Sequence, residues 1–253
     1  MAYLRVMKKK TVLITGGSSN LGIEIAKQFK AAGYMVYSTS QSELNITDDK
    51  ACQRFTQKIV RDQEKIDVLV NCAGVTPVGP LLEESADDFL KTLNINAVGA
   101  FRLIRESVPY MGKKSRGKII NINSLNGLVP LPNYGIYSAS KHALEAMSFA
   151  LRQELKEKNI CVTSILPGAI LNEKKINLPQ THKPAREKFL ILKYLMPFLT
   201  PEKVAESVLK VAEEKAPPAR VVLGNDAKII TFLVKMLPFS LWDRLVYYVW
   251  SHK

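Results

Sequence analysis

Short continuous apolar runs alternate along the chain with stretches whose apolar residues recur every three or four positions. Thr11–Ile14 reads as a first buried strand closed by Gly16-Gly17, and Leu21 to Ala32 follows with helical spacing up to Gly33, a natural C-cap. Further strands are expected at Met35–Thr39, Ile66–Asn71, Gly117–Asn123, Cys161–Leu166 and Arg220–Leu223. Helices are expected at about 48–63, 86–112, 137–157 and 201–215. The strands are apolar throughout instead of alternating, which is what a parallel sheet covered on both faces requires. The prediction is therefore an α/β fold, a doubly wound parallel sheet in a single domain over 1–226, with 227–253 as an amphipathic tail. After the second strand only Ser40 to Glu43 precede Leu44-Asn45-Ile46, which is expected to be the remnant of a shortened third strand.

Composition narrows the class. With 47% hydrophobic and 23% charged residues the chain has the apolar mass for a sizeable core. Cys52, Cys72 and Cys161 are scattered and lack metal-ligand spacing, so no metal site is expected and free thiols in a reducing, cytoplasmic setting are. Met1 to Lys10 lacks the pattern of a signal peptide. The net charge of +13 favours anionic partners, but it is spread along the chain without a nucleic-acid motif, and nucleic acid is not expected as a partner.

The turn Thr15-Gly16-Gly17-Ser18-Ser19-Asn20-Leu21-Gly22, between a strand and a helix, suits a dinucleotide. Small residues let the backbone approach a pyrophosphate, and the helix N-terminus presents free N–H groups to it. Asn71-Cys72-Ala73-Gly74 ends a central strand. Tyr137 and Lys141, four apart, share one face of a helix. A phenol ionises near pH 10, so acid/base work near neutrality needs a cation beside it. An ammonium at about 4 Å supplies on the order of 4 kcal/mol at an effective dielectric of ~20.

Together these segments resemble the short-chain dehydrogenase/reductase superfamily over about 10–225. Thr15, Gly16 and Gly22 match its TGxxxGxG loop, with Asn20 in place of the middle glycine, where asparagine tolerates left-handed backbone. Asn71 to Gly74 resembles its NNAG motif, differing at Cys72. Ser124, thirteen residues before Tyr137, has the family's serine-to-tyrosine spacing, and Asn96 in Asn96-Ala97-Val98-Gly99 matches the family's asparagine. The resemblance implies a Rossmann-type fold and an NAD(P)-dependent oxidoreductase that interconverts a carbonyl and an alcohol by hydride transfer. Tyr137 would exchange the proton with the substrate oxygen, and Ser124 would hydrogen-bond that oxygen. Lys141 would lower the tyrosine pKa and hold the ribose, while Asn96 would position a water linking Lys141 to solvent. The cofactor would be lined by Gly16, Ser18, Ser19, Asn20, Leu21, Gly22, Thr39, Ser40, Gln41, Asn45, Ile46, Asn71, Ala73, Gly74, Tyr137 and Lys141. Pro167, Gly168 and Ile170 belong to the loop whose backbone holds the carboxamide, with Asn172 where the family often has threonine.

The second strand ends in Ser38-Thr39-Ser40-Gln41 with no carboxylate before Glu43, so NADP(H) is the expected cofactor, with NAD(H) as the alternative. Residues 173–199 stand where the family places its substrate lid. Six Lys/Arg against two Glu over 173–193, followed by an apolar Phe189–Leu199, point to a hydrophobic, lipid-, steroid- or acyl-like substrate. The tail carries two apolar stretches hinged at Pro238, with Trp242, Tyr247, Tyr248 and Trp250. They are too short to cross a bilayer and suited either to peripheral contact with its surface or to packing on the domain or a subunit partner. The family implies a homodimer or homotetramer built on the two long helices. A catalytically silent dinucleotide-binding regulator on the same fold is the competing reading, opposed by the intact Ser124, Tyr137 and Lys141.

Overall fold

The computed structural model describes residues 9–112, 115–170 and 199–250. Asn172 and all of the expected lid at 173–199 except Leu199 lie outside them. Six strands form one parallel sheet: β1 (Thr11–Thr15), β2 (Met35–Thr39), β3 (Val68–Asn71), β4 (Gly117–Ile122), β5 (Ile160–Pro167) and β6 (Arg220–Leu223), in the order β2-β1-β3-β4-β5-β6. The helices among the described residues are α1 (Asn20–Ala31), α2 (Asp49–Gln63), α3 (Ala86–Leu93), α4 (Gly99–Ser107), α5 (Gly135–Glu154), α6 (Pro201–Glu213), α7 (Asn225–Met236) and α8 (Phe239–Trp250).

The two-residue period of the strands sorts their side chains between two cores. Val12, Ile14, Val70 and Ile120 point to the side covered by α1 and α6, where Phe29, Val204 and Val208 are fully buried. Leu13, Leu69 and Ile119 point the other way, toward Ile59 of α2 and Leu103 and Ile104 of α4. Both faces are dry, which explains why these strands read as unbroken apolar runs.

Three expectations are corrected. Leu44–Ile46 is not a strand but part of a turn, and β2 is the edge of the sheet. A parallel neighbour needs a crossover of about a dozen residues or more, and four residues cannot supply one. The two apolar side chains are used instead in the core beside α4, where Ile46 fits against Gly99. The helix expected over 86–112 is interrupted: Asn94–Val98 widens into a π-turn between α3 and α4, and Val108–Tyr110 tightens into a 3₁₀ turn containing Pro109. Finally, 226/227 falls inside α7, whose Ala227 is fully buried in a third cluster with Leu125 and Val129.

The strand order reverses at β1, which pairs with β2 on one side and β3 on the other. In doubly wound sheets the crevice at such a switch point, at the carboxyl ends of the strands, receives the ligand. The glycine-rich turn after β1, the end of β3 and the turn after β4 all open there.

Candidate active site

At the end of β1 the chain is shaped by contacts that exclude side chains. Gly16 takes a φ of +69°, and a Cβ there would stand 2.8 Å from the backbone of Ala73. A Cβ on Gly22 would lie 2.2 Å from the Gly16 carbonyl oxygen. Ser19 caps α1, accepting from the Gly22 N–H at 3.0 Å and donating to the Gly16 carbonyl at 2.7 Å. Asn20 does not carry the left-handed conformation expected of it; it opens α1, and Gly16 makes the turn. Thr15 closes the cradle from below, its hydroxyl oxygen accepting from the Cys72 and Ala73 N–H groups at 3.1 Å each. A bare backbone around a helix N-terminus, with Ser18 and Ser19 exposed, fits the pyrophosphate of a dinucleotide.

The end of β2 differs from its sequence-level reading. Glu43 folds back onto Ser40 and accepts from its N–H at 2.8 Å and its hydroxyl at 2.9 Å. The Ser40 backbone N–H, and then its hydroxyl, hold the Glu43 carboxyl below the usual glutamate range. A carboxylate absent from the strand is thus restored to its end by the turn. Thr39 is buried there, and Gln41 is exposed in the turn itself. Two cofactor expectations do not bring side chains to the cradle: Ile46 is in the core, and Asn45 accepts from the Thr47 N–H and hydroxyl.

Tyr137, Lys141 and Asn96 lie near one another, and Ser124 follows two residues after the Ile122 carbonyl that Lys141 holds. Lys141 is buried and donates from Nζ to the Ile122 carbonyl at 2.9 Å, two residues before Ser124. Its Nζ lies 5.7 Å from the centre of the half-buried Tyr137 ring, and 3.8 Å from where a Cβ on Gly74 would stand. The same Cβ would come 3.2 Å from Asn96 Oδ1, so Gly74, Asn96 and Lys141 share one corner. Asn96, in the π-turn, clasps Val75 both ways: Oδ1 accepts from its N–H at 2.8 Å, and Nδ2 donates to its carbonyl at 2.9 Å. Nδ2 also donates to Ser140 Oγ at 2.9 Å, tying that turn to α5. Ser124 is extended, with a half-buried side chain that accepts from the Asn126 N–H.

Behind these residues lies a network that the motifs did not announce. Glu145, one turn beyond Lys141, is buried and accepts from Asn123 Nδ2 at 2.8 Å and Ser164 Oγ at 2.5 Å, and pairs with Arg220. Asn123 Oδ1 in turn accepts from the Ser124 N–H at 3.0 Å. Asn71 donates to Asn121, and Asn121 to Ser148. The available signal was the period of α5: Tyr137, Lys141, Glu145 and Ser148 fall on one face, and a glutamate in that row on a core-facing helix calls for a partner.

Residues 38–183 match the family model described as short chain dehydrogenase. The 3-ketodihydrosphingosine reductase of Bacteroides thetaiotaomicron is 30% identical over 245 residues, 88% of this chain and 91% of that one. The 3-oxoacyl-[acyl-carrier-protein] reductase FabG of Thermotoga maritima is 30% identical over 246 residues, covering 88% and 99%. Among solved structures, a short-chain dehydrogenase from Streptomyces avermitilis superposes with a TM-score of 0.77 at 25% identity, covering 94% of this chain and 97% of that one. ElxO with NADP bound superposes at 0.74 and 28% identity, covering 85% and 96%.

Proposed function

The chain belongs to the short-chain dehydrogenase/reductase superfamily, and from that premise we propose that Tyr137, Ser124, Lys141 and Asn96 carry a carbonyl–alcohol interconversion on a hydrophobic substrate. The observation that carries the reading is the placement of Lys141: its ammonium is anchored on the Ile122 carbonyl between the Ser124 turn and the Tyr137 ring.

A bound nicotinamide supplies or accepts the hydride. The chain's own groups handle the oxygen and the proton. The Tyr137 hydroxyl gives its proton to the carbonyl oxygen as that oxygen gains electrons, and takes it back in the reverse direction. Ser124 Oγ donates a hydrogen bond to the same oxygen and holds it in place. Lys141 stabilises the phenolate left behind, and its attachment to Ile122 keeps the ammonium on the Tyr137 side of the helix. Asn96 fixes the Val75 backbone beside Lys141, where a water would connect the ammonium to solvent.

NADP(H) is the proposed cofactor, supported by the NADP-bound neighbour; the Glu43 carboxylate held at the end of β2 works against its 2′-phosphate. Leu81 and Leu82 form an apolar rim near the substrate end: Leu81 packs where a Cβ on Gly135 would stand, two residues before Tyr137, and Leu82 is almost wholly exposed. The names of two reductase relatives, one for 3-ketodihydrosphingosine and one for a 3-oxoacyl-[acyl-carrier-protein], support a lipid- or acyl-like carbonyl compound. No helix among the described residues is long and apolar enough to cross a membrane. The exposed Phe232, Met236, Phe239 and Leu241 of α7–α8, with Lys228, Lys235 and Arg244, support peripheral contact with an anionic bilayer, each cation adding roughly 1 kcal/mol. Exposed Phe101 of α4 and Phe149 of α5 support pairing of subunits through those helices.

The test is a nicotinamide-absorbance screen of aldehydes, ketones, steroids and long-chain keto compounds with purified protein. NADPH oxidation with the longer apolar carbonyls is expected. Oxidation of neither NADPH nor NADH across the panel would reject the catalytic reading.

A further inference from the structure

The loop leaving β5 and the helix following β6 are joined more closely than covering the sheet requires. Asp226, the second residue of α7, accepts from the Ala169 backbone N–H at 2.8 Å. Its carboxylate lies against Gly168, where a Cβ would stand 2.2 Å from both oxygens. On the other side a Cβ on Gly224, where φ is +95°, would stand 2.4 Å from Asp226 Oδ1. Two glycines thus clear the space that this one carboxylate fills. The Gly168 N–H is taken by the Leu223 carbonyl at 2.8 Å, and the Ala169 carbonyl by the Leu199 N–H at 3.0 Å. One residue further along α7, Ala227 is fully buried against Leu125 and Val129 in the turn that follows Ser124, and Ile230, Val234 and Trp242 pack on the same cluster.

We infer that α7 is part of the cofactor site: Asp226 is a positioning residue that sets loop 168–170 for the nicotinamide end of the dinucleotide. This rests on the reading of Pro167–Ile170 as the loop that holds the carboxamide. The physical reason is preorganisation. A loop used through its backbone has no side chain to hold its shape, and ordering it only on binding costs conformational entropy. A carboxylate accepting from a backbone N–H is one of the stronger hydrogen bonds available for the purpose. The same helix, through Ala227, braces the turn beside Ser124, so α7–α8 serves both the cofactor end and the substrate end of the cleft.

The test uses the full-length protein, with NADPH and adenosine 2′,5′-bisphosphate as probes. The second probe carries the adenosine half alone, which the β1–α1 turn and the end of β2 would hold. Asp226→Ala is expected to weaken NADPH binding about tenfold while leaving the bisphosphate within about twofold. Asp226→Asn, whose amide oxygen still accepts from Ala169, should stay within about threefold of wild type for both. Equal weakening of both probes, or unchanged NADPH affinity in a folded Asp226→Ala protein, would overturn the inference. If that variant does not fold, Asp226→Ser, too short to reach Ala169, carries the same expectations. A wild-type protein that binds neither NADPH nor NADH would bring down the cofactor reading and this inference with it. A wild type that binds while Asp226→Ala binds equally well brings down the inference alone.

Discussion

The two sides of the cleft are built by different means. On the catalytic side, α5 is joined to the end of β4 by buried side chains: Lys141 to Ile122, Glu145 to Asn123, Ser148 to Asn121. On the nucleotide side the shape comes from bare backbone at Gly16 and Gly22 and from short local bonds at the surface, such as Ser19 to Gly22 and Ser40 to Glu43. The first arrangement locks its atoms to one another in a region of low dielectric, where each partner depends on the next. The second leaves space for a ligand and reads it with few, exposed side chains. Chemistry should therefore be fragile to substitution on one side, and cofactor choice adjustable on the other.

The largest effect should come from Tyr137→Phe. It removes the only phenolic proton assigned to the reaction and should lower kcat by about 10³-fold or more, some 4 kcal/mol, with NADPH affinity nearly unchanged. Retention of a tenth of wild-type turnover would show that another group moves the proton. Next, Gly22→Ala places a methyl 2.2 Å from the Gly16 carbonyl, and only backbone movement relieves it. NADPH affinity measured by fluorescence titration should fall by roughly a hundredfold, about 2.7 kcal/mol. A wild-type dissociation constant would mean that the turn is not the pyrophosphate cradle.

Glu145→Ala leaves Asn123 and Ser164 without their acceptor and Arg220 without its carboxylate. Because the Arg220 side chain is nearly half exposed, the loss is discounted from that of a fully buried pair to about 2 kcal/mol of unfolding free energy. Urea denaturation measures it. A stability change under about 0.5 kcal/mol would remove the claim that this network braces the site.

The smallest effect belongs to the exposed side. Glu43→Gln should raise the NADPH-to-NADH affinity ratio about fivefold, since a carboxylate at the end of β2 repels a 2′-phosphate. The sign of the pH dependence follows from the lowered Glu43 pKa. The carboxylate form and its Ser40 bonds are present above the usual glutamate range and are lost only as the pH falls through the lowered value. Glu43 itself should then stay charged from neutral to mildly acidic pH, where only the 2′-phosphate titrates, at about pH 6. The wild-type and Glu43→Gln ratios should converge only well below that range. A ratio that Gln leaves unchanged would place the 2′-position away from Glu43.

Much of this was readable one residue at a time. Strand runs, helix caps and the spacing of Ser124, Tyr137 and Lys141 are local patterns, set by backbone geometry and by which atoms four residues of helix bring to one face. Glycines at 16 and 22 are as informative in sequence as in space, because only a missing side chain permits that turn. The rest depended on what folding brings together across long separations. Leu44–Ile46 has the composition of a strand, but pairing needs a crossover the connection lacks, so tertiary packing assigned those side chains to the core. Glu43 returns to the end of β2 through a turn that no periodicity predicts. Asp226 meets Ala169 across 57 residues, and Glu145 meets Arg220 across 75. A lone buried or half-buried charge states in the sequence that it needs a partner, but only the folded chain selects which one, because that choice is made by distance and desolvation and not by order along the chain.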